Sequence, residues 1–434
     1  MIGQPHFSYK DGHLHCEDVP ARRVVEERGT PCYVYSATAL RERYNRISEA
    51  FSRWDPQVCF SVKSCGNLSV LKLLHECGSG FDVVSGGELH RALKAGAEPE
   101  SIVFAGVGKT PAEIRQALRA GIGMFNVESA PELKSIREVA GDMDETASVA
   151  LRINPDVDPN THAKTTTGKK ENKFGMGFET ADRLLSEAAG EHVLDVRGIH
   201  VHLGSPIYST APYEKALEKI CRFVQEQRSW GHKIDTINLG GGYCMSYTGK
   251  EVIGPKAYAE AARPYLEKLD CRLLLEPGRY VAANSGVLLT NVTYRKVTEH
   301  GKRFIICDAG MNDLLRPTLY DAFHGIWPVD CKGGMPDELD PDTEEYPEWD
   351  TEVVDVVGPV CESGDYFGKD RPLPPVEKGD GLAIFSVGAY GFTMASNYNT
   401  RPRPPEVLVE DDDTRLVRPR ESYGDLVEPE TNLI

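Results

Sequence analysis

A lysine, a glycine triplet and a closely spaced glutamate and arginine are the parts of this 434-residue chain whose types and placement could do chemistry. Lys63 closes the run Val58-Cys59-Phe60-Ser61-Val62-Lys63, whose period of two reads as a strand with one apolar face. An amine at a strand end, partly withdrawn from water, is pushed toward its neutral form and becomes a nucleophile able to form a Schiff base. Gly240-Gly241-Gly242 close another strand-like run and let backbone N–H groups approach an anion. In "EPGR", Glu276 suits a cationic ring nitrogen and Arg279 an anionic group, although a simple ion pair between them is the plainer reading. In "HVHLGS", His200 and His202 share a strand face. A metal pair there lacks a third ligand at suitable spacing, so a stacking imidazole beside a phosphate-binding Ser205 is the better reading. Asp82, in "FDVVSGGEL", reads as a buried hydrogen-bonding carboxylate.

A Schiff-base lysine, a phosphate cradle and a carboxylate for a ring nitrogen together describe a site for pyridoxal 5'-phosphate, with no metal. The elements that must position it follow one rhythm. Strand-like runs at 58–63, 81–85, 101–106, 124–129, 148–154, 196–204, 236–242 and 272–278 alternate with helical segments at 68–78, 87–97, 110–121, 130–140, from Thr180, 211–231 and 255–269. Another helix, with Ser36 as its N-cap, precedes the first of these strands. Eight strands with polar residues gathered at their C-terminal ends predict an α/β fold, a (β/α)8 barrel, in preference to a doubly wound open sheet. The eighth helix is not evident. Beyond about residue 285, runs such as "GVLLTNVTYRKV", "KRFIICDAG", "TEVVDVVGPV" and "DGLAIFSVGAYG" predict a second, mainly β domain of sandwich or barrel type. The acidic, proline-rich stretch 326–350 reads as a surface excursion, and the charge run "EDDDTRLVRPRES" as a solvated face.

Composition narrows the function classes. A formal net charge of −17 argues against nucleic acid as a partner. No apolar run reaches membrane-spanning length, and the first twenty residues lack the pattern of a signal peptide. Eleven cysteines without a Cys-x-x-Cys spacing suggest reduced thiols and a cytoplasmic protein.

The motifs "FSVKSCGN", "FDVVSGGEL", "INPDVDPNTH", "TGKKENKFGMG", "HVHLGS", "LGGG", "EPGR", "DAGMNDLLRPTLYDAFH", "GPVCESGD" and "GAYGFTMASNYNTRPRP" run through nearly the whole chain. By them the sequence resembles the barrel-type, fold-type III pyridoxal-phosphate decarboxylases, and within that family the branch acting on diaminopimelate. The resemblance implies a barrel over residues 36–284 and a β domain built from 1–35 and 285–434. It implies Lys63 as the Schiff-base lysine and His202 stacked on the ring. Ser205, Gly240, Gly241, Gly242 and Arg279 would lie at the phosphate, Glu276 at the ring nitrogen, and Asp82 and Tyr390 beside the cofactor. Arg279, Arg316, Tyr320 and Tyr390 would face the substrate. Cys361, the candidate proton donor, and Glu362 would enter from the neighbouring subunit of a homodimer.

The implied reaction is decarboxylation of meso-2,6-diaminopimelate to L-lysine and CO2, the last step of lysine biosynthesis. A carboxylate at the ring nitrogen leans away from racemisation, since the alanine-racemising relative generally has arginine there. A substrate ending in an ammonium, such as ornithine, wants acidic partners. Arg279, Arg316 and Glu362 together suit a substrate end carrying both charges, and so favour diaminopimelate over ornithine, arginine or carboxynorspermidine. A cofactor-binding regulator is the non-enzyme alternative, disfavoured because Cys361, Arg279 and Arg316 are all present. Two departures from the family pattern bear on the substrate entrance: Pro206 stands where glutamine is expected, and "AKTTTG" (163–168) is unusually polar.

Overall fold

The structure is a computed structural model that describes residues 6–158, 173–343, 345–431 and 433. The polar 163–168 stretch lies outside the described residues. The chain divides into two compact units, one of residues Arg43–Cys244 and Val252–Tyr280, the other of residues up to Glu42, Met245–Glu251 and those from Val281 onward.

The first unit is a closed barrel of eight parallel strands: β1 (Gln57–Ser61), β2 (Gly80–Val83), β3 (Ile102–Phe104), β4 (Met124–Val127), β5 (Ala147–Arg152), β6 (Leu194–His200), β7 (Thr236–Asn238) and β8 (Arg272–Leu275). Pairing of Leu274 with Gln57 and Leu275 with Val58 closes the ring. Every predicted strand is present, but several stop short of their predicted ends. β7 ends at Asn238, leaving Gly240–Gly242 in the loop beyond it. β1 ends at Ser61, so Lys63 does not close the strand but sits in a single 3-10 turn, Val62–Ser64. The residues past these ends carry strand-like side chains yet spend their backbone on the loops of the barrel mouth. The helix after β8 is one short turn, Arg279–Ala282, too short to show a helical period in sequence.

Helix starts follow local chemistry. Thr110 accepts from the Glu113 N–H while the Glu113 carboxylate accepts from the Thr110 N–H, a capping box that fixes the helix Pro111–Ala120. Gly121, in the left-handed conformation, ends it.

The barrel interior has two tiers, and both follow from the two-residue period of a strand. Cys59, Val103, Met124, Ala150 and Leu274 form a buried apolar floor. Gly198 on β6 belongs to this tier: a Cβ there would sit 2.8 Å from the Ala150 Cβ, so only glycine leaves room for the floor. Two residues further along seven of the eight strands the same inward face carries a polar side chain, while β3 stays apolar with Ala105 after Val103. Cys59 is followed by Ser61, Gly80 by Asp82, Met124 by Asn126, Ala150 by Arg152, Gly198 by His200, Thr236 by Asn238 and Leu274 by Glu276.

The second unit is mainly β. Its central strand, Gly286–Val297, pairs antiparallel with Cys32–Ser36, Arg303–Cys307 and Gly381–Ile384. Cys32–Ser36 pairs in parallel with Glu406–Glu410, so segments from both ends of the chain complete one sheet. Glu17 ties them: its carboxylate accepts from the Ser36 hydroxyl (2.6 Å), the Thr38 N–H (3.0 Å) and the Asp411 N–H (2.7 Å). One sequence reading is corrected here: the 326–350 stretch begins inside the sheet, with Ile326–Pro328 pairing to Gly381–Ile384 and Trp327 fully buried. The charge run of the tail is largely exposed, as a solvated face should be, and also forms the second arm of a hairpin, Asp413–Arg418 on Glu406–Glu410.

Candidate active site

The polar tier of the barrel closes around one carboxylate. Glu276, just past β8, is buried, and its Oε1 accepts from Asn126 Nδ2 on β4 (2.8 Å) and Asn238 Nδ2 on β7 (2.6 Å). Its Oε2 lies 3.2 Å from His200 Nε2 at the end of β6. Burial alone would push this carboxyl up. The His200 charge and hydrogen bond, the Lys63 charge and the Asn238 hydrogen bond outweigh burial and hold it well below the usual carboxylate range. These contacts favour its ionised form in the barrel mouth.

The Lys63 amine reaches Asp82 Oδ2 at 2.6 Å, and the Ser61 hydroxyl donates to the same oxygen at 2.8 Å. Asp82 is fully buried, which raises its pKa against the opposing pull of the Lys63 ammonium. Lys63 itself is 40% exposed, so its amine is steered by a buried carboxylate yet open to a small molecule. The other Asp82 oxygen, Asn126 Oδ1 and His200 Nδ1 are buried without a hydrogen-bond partner.

The glycine loop is shaped by contact. Gly240 has φ +63°, and a Cβ on it would lie 2.7 Å from the Val201 carbonyl oxygen and 2.8 Å from His202 Nδ1. A Cβ on Gly241 would overlap the Glu276 carbonyl oxygen. The Gly241 N–H donates to His202 Nδ1 (3.1 Å), which leaves the other ring nitrogen to carry the hydrogen. Burial, then the Arg152 and Lys63 charges, hold the His202 pKa well below its ordinary value, so the ring is neutral. Asn238 links the loop to the anion: its amide donates to Glu276 while its oxygen accepts from the Gly240 N–H at 2.9 Å. Nearby, Arg279 Nε donates to Ser205 Oγ at 3.0 Å. Arg152 is held by Glu128 at 2.7 Å, both buried.

These groups fit pyridoxal phosphate. A steered amine, a neutral imidazole, a buried anion for a cationic ring nitrogen and a glycine loop beside a serine and an arginine are the donor set it requires. Lys63, Asp82, His202, Ser205, Gly240–Gly242, Glu276 and Arg279 all lie in the barrel unit. Asn126, Asn238 and His200 complete the grip on Glu276 and were not assigned to it from sequence. The usable signal was an asparagine on the inward face two residues before a glycine triplet. Among the described residues no group of three or more metal-ligating side chains occurs.

The remaining candidates lie in the β unit. Arg316, in the short helix Arg316–Tyr320, is buried, with its guanidinium 5.7 Å from the ring centres of Tyr247 and Tyr390 and 5.9 Å from that of Tyr320. Tyr390 itself holds φ +58°. Cys361 and Glu362 are exposed. Cys361 Sγ lies 3.5 Å from Asn399 Oδ1, and Glu362 accepts from the Tyr398 hydroxyl.

Fold and site together define a barrel enzyme that works through pyridoxal phosphate. The model of the pyridoxal-dependent decarboxylases, pyridoxal binding domain, matches residues 37–283, and the chain belongs to that family. Among its relatives, the diaminopimelate decarboxylase of Aquifex aeolicus is 41% identical over 99% of this chain and 98% of its own length. That of Zymomonas mobilis is 44% identical over 98% of each chain. A solved structure of diaminopimelate decarboxylase from M. jannaschii in complex with L-lysine superimposes with a TM-score of 0.91 at 39% identity, covering 99% of this chain and 98% of that one.

Gly241→Ala tests the cradle. An overpacking cost of about 1–3 kcal/mol corresponds to weaker cofactor retention by on the order of ten- to a hundredfold. Fluorescence titration of cofactor-free protein with pyridoxal phosphate measures it, and unchanged affinity would mean that the loop is not the cradle.

Proposed function

We propose that this enzyme decarboxylates meso-2,6-diaminopimelate at its D-centre, releasing CO2 and L-lysine, the last step of lysine biosynthesis. The observation that carries the choice of substrate is Arg316. It is a buried guanidinium with no carboxylate partner among the described residues, ringed by three tyrosines. A buried cation without a counter-charge costs several kcal/mol, and the distal carboxylate of the substrate supplies one. An ornithine-like substrate, ending in an ammonium, has nothing to offer it.

Bound pyridoxal phosphate supplies the electron sink that takes up the pair left behind when CO2 departs. The chain's residues do the rest. Lys63, steered by Asp82, would hold the cofactor through its amine. Glu276 stays anionic and would favour a proton on the ring nitrogen. His202, neutral, would lie against the ring without adding charge. Ser205, Gly240, Gly241, Gly242 and Arg279 would take the phosphate, with Arg279 also toward the substrate. Arg316 binds the distal carboxylate beside Tyr320 and Tyr390, and Glu362 the distal ammonium. Cys361 returns a proton to the carbon that lost CO2. Exposure of Cys361 and Glu362 in the single chain supports their working in a neighbouring subunit's site, within a homodimer; the free cysteines suit a cytoplasmic protein.

Purified protein given meso-, LL- and DD-diaminopimelate and L-ornithine tests this directly. CO2 and lysine should appear in equal amounts from the meso isomer, with ornithine slower by orders of magnitude. Faster ornithine turnover would transfer the assignment to a diamine-forming enzyme, and no CO2 from any substrate would favour a regulator.

Glu276→Gln keeps the shape and removes the charge. Borohydride should still fix the cofactor to the Lys63 nitrogen, while decarboxylation slows on the order of a hundredfold, the equivalent of losing about 2.7 kcal/mol. Unchanged turnover would reduce Glu276 to a structural role.

The shared site is tested by mixing Lys63→Ala and Cys361→Ala subunits, each nearly inactive alone. Random exchange makes about half the dimers mixed, and one site in each regains both residues, so activity should return to roughly a quarter of wild type. No recovery despite demonstrated exchange would place both residues in one chain's site.

A further inference from the structure

The orientation of Arg316 is not left to its tyrosine cage. His324, fully buried four residues past the end of the helix carrying Arg316, has Nδ1 2.9 Å from the Phe385 carbonyl oxygen. A carbonyl only accepts, so Nδ1 carries the hydrogen and donates. The other nitrogen, Nε2, faces Arg316 Nε at 3.3 Å, and a guanidinium only donates, so Nε2 offers its lone pair. The two contacts together fix the ring as one neutral tautomer.

Tyr247 completes the frame. Its hydroxyl accepts from Arg316 Nη2 at 3.3 Å, and its ring meets that of His324 edge to face at 5.5 Å. Phe385 is itself held at the end of its strand, since its N–H donates to the Gly325 carbonyl oxygen at 2.8 Å. With Nε and one hydrogen of Nη2 taken, the donors left on Arg316 belong to Nη1 and Nη2. That is the end-on fork of the guanidinium, which matches the two oxygens of a carboxylate.

We propose that His324 is a positioning residue that aims the end-on fork of Arg316, and thereby sets specificity for amino acids with a distal carboxylate. This rests on the reading above that Arg316 takes that carboxylate. L-Lysine, the product, retains it, whereas 1,5-diaminopentane has the same two amines on the same five carbons and no carboxylate. Binding of these two compounds to the holoenzyme therefore reads the interaction without turnover.

Two substitutions separate the two nitrogens of His324. His324→Asn places an amide donor near the Phe385 carbonyl but nothing opposite Arg316 Nε. His324→Gln reaches further and can put an amide oxygen opposite Arg316. By calorimetry, His324→Asn should weaken L-lysine about tenfold, the worth of one well-placed hydrogen bond to a charged group. His324→Gln should recover most of that loss, and 1,5-diaminopentane should bind alike to all three proteins. In turnover of meso-diaminopimelate, KM should rise by a similar factor while kcat changes less than about twofold. Added to Arg316→Ala, His324→Asn should cost nothing further, because the group it aims is gone.

If Arg316→Ala weakens L-lysine while His324→Asn does not, the role given to His324 is wrong and that of Arg316 stands. If Arg316→Ala leaves L-lysine binding unchanged, the assignment of the distal carboxylate itself is wrong. Equal weakening of both ligands by His324→Asn and His324→Gln would make His324 a packing residue and overturn the proposal.

Discussion

A carboxylate buried at the mouth of the barrel and kept ionised is the constraint on which the rest of the site depends. Left alone, a buried acid takes up a proton, because no solvent supports its charge. Here two asparagine amides and a histidine, from β4, β7 and β6, converge on Glu276 and remove that option. β6 and β7 are neighbours, but β4 lies across the ring from β8, so it is the closed barrel that brings all three donors onto one carboxylate. The same asparagine that grips Glu276 from β7 also receives the Gly240 N–H, so the buried carboxylate and the glycine loop form one piece. Lysine and aspartate follow from it electrostatically. Asp82, buried near Glu276, is raised by burial, and the Lys63 ammonium offsets part of that cost at 2.6 Å.

The β unit solves the opposite problem. Arg316 is a buried cation for which the described residues provide aromatic faces, a hydroxyl and an imidazole lone pair, but no carboxylate. Such surroundings keep the guanidinium in place without neutralising it. On the proposed reading, a ligand bringing a carboxylate would complete this charge, and one of like sign would leave it unpaired.

Much of this was legible in the sequence because strand periodicity and chemistry coincide there. The step from Cys59 to Ser61, or from Met124 to Asn126, changes an inward face from apolar to polar within two residues, and such alternation survives in a single sequence. Lys63 and Glu276 stood out for the same reason, being charged at the ends of apolar runs. What sequence could not give was convergence across strands. Asn238 at least precedes a glycine triplet, but nothing local distinguishes Asn126, which clasps Glu276 with it, from an asparagine that merely ends a strand. Strand ends were overestimated where the chain leaves the ladder for the mouth, as at Lys63 and Gly240. The second arm of the C-terminal hairpin was masked by charge, because its side chains face water on both sides and alternation carries no hydrophobic signal. His324 was hidden within "DAFHGIWPV", where neither spacing nor residue type hints that its two nitrogens meet a carbonyl and a guanidinium.

The ionised state of Glu276 can be observed without any turnover. Infrared difference spectra between wild type and Glu276→Gln isolate this one side chain, because a carboxylate and a protonated acid absorb in well-separated regions. The account predicts a carboxylate band, and no protonated acid band, from neutral pH down through the ordinary range of glutamate titration for as long as the protein remains folded. A protonated acid band from residue 276 at neutral pH would contradict it.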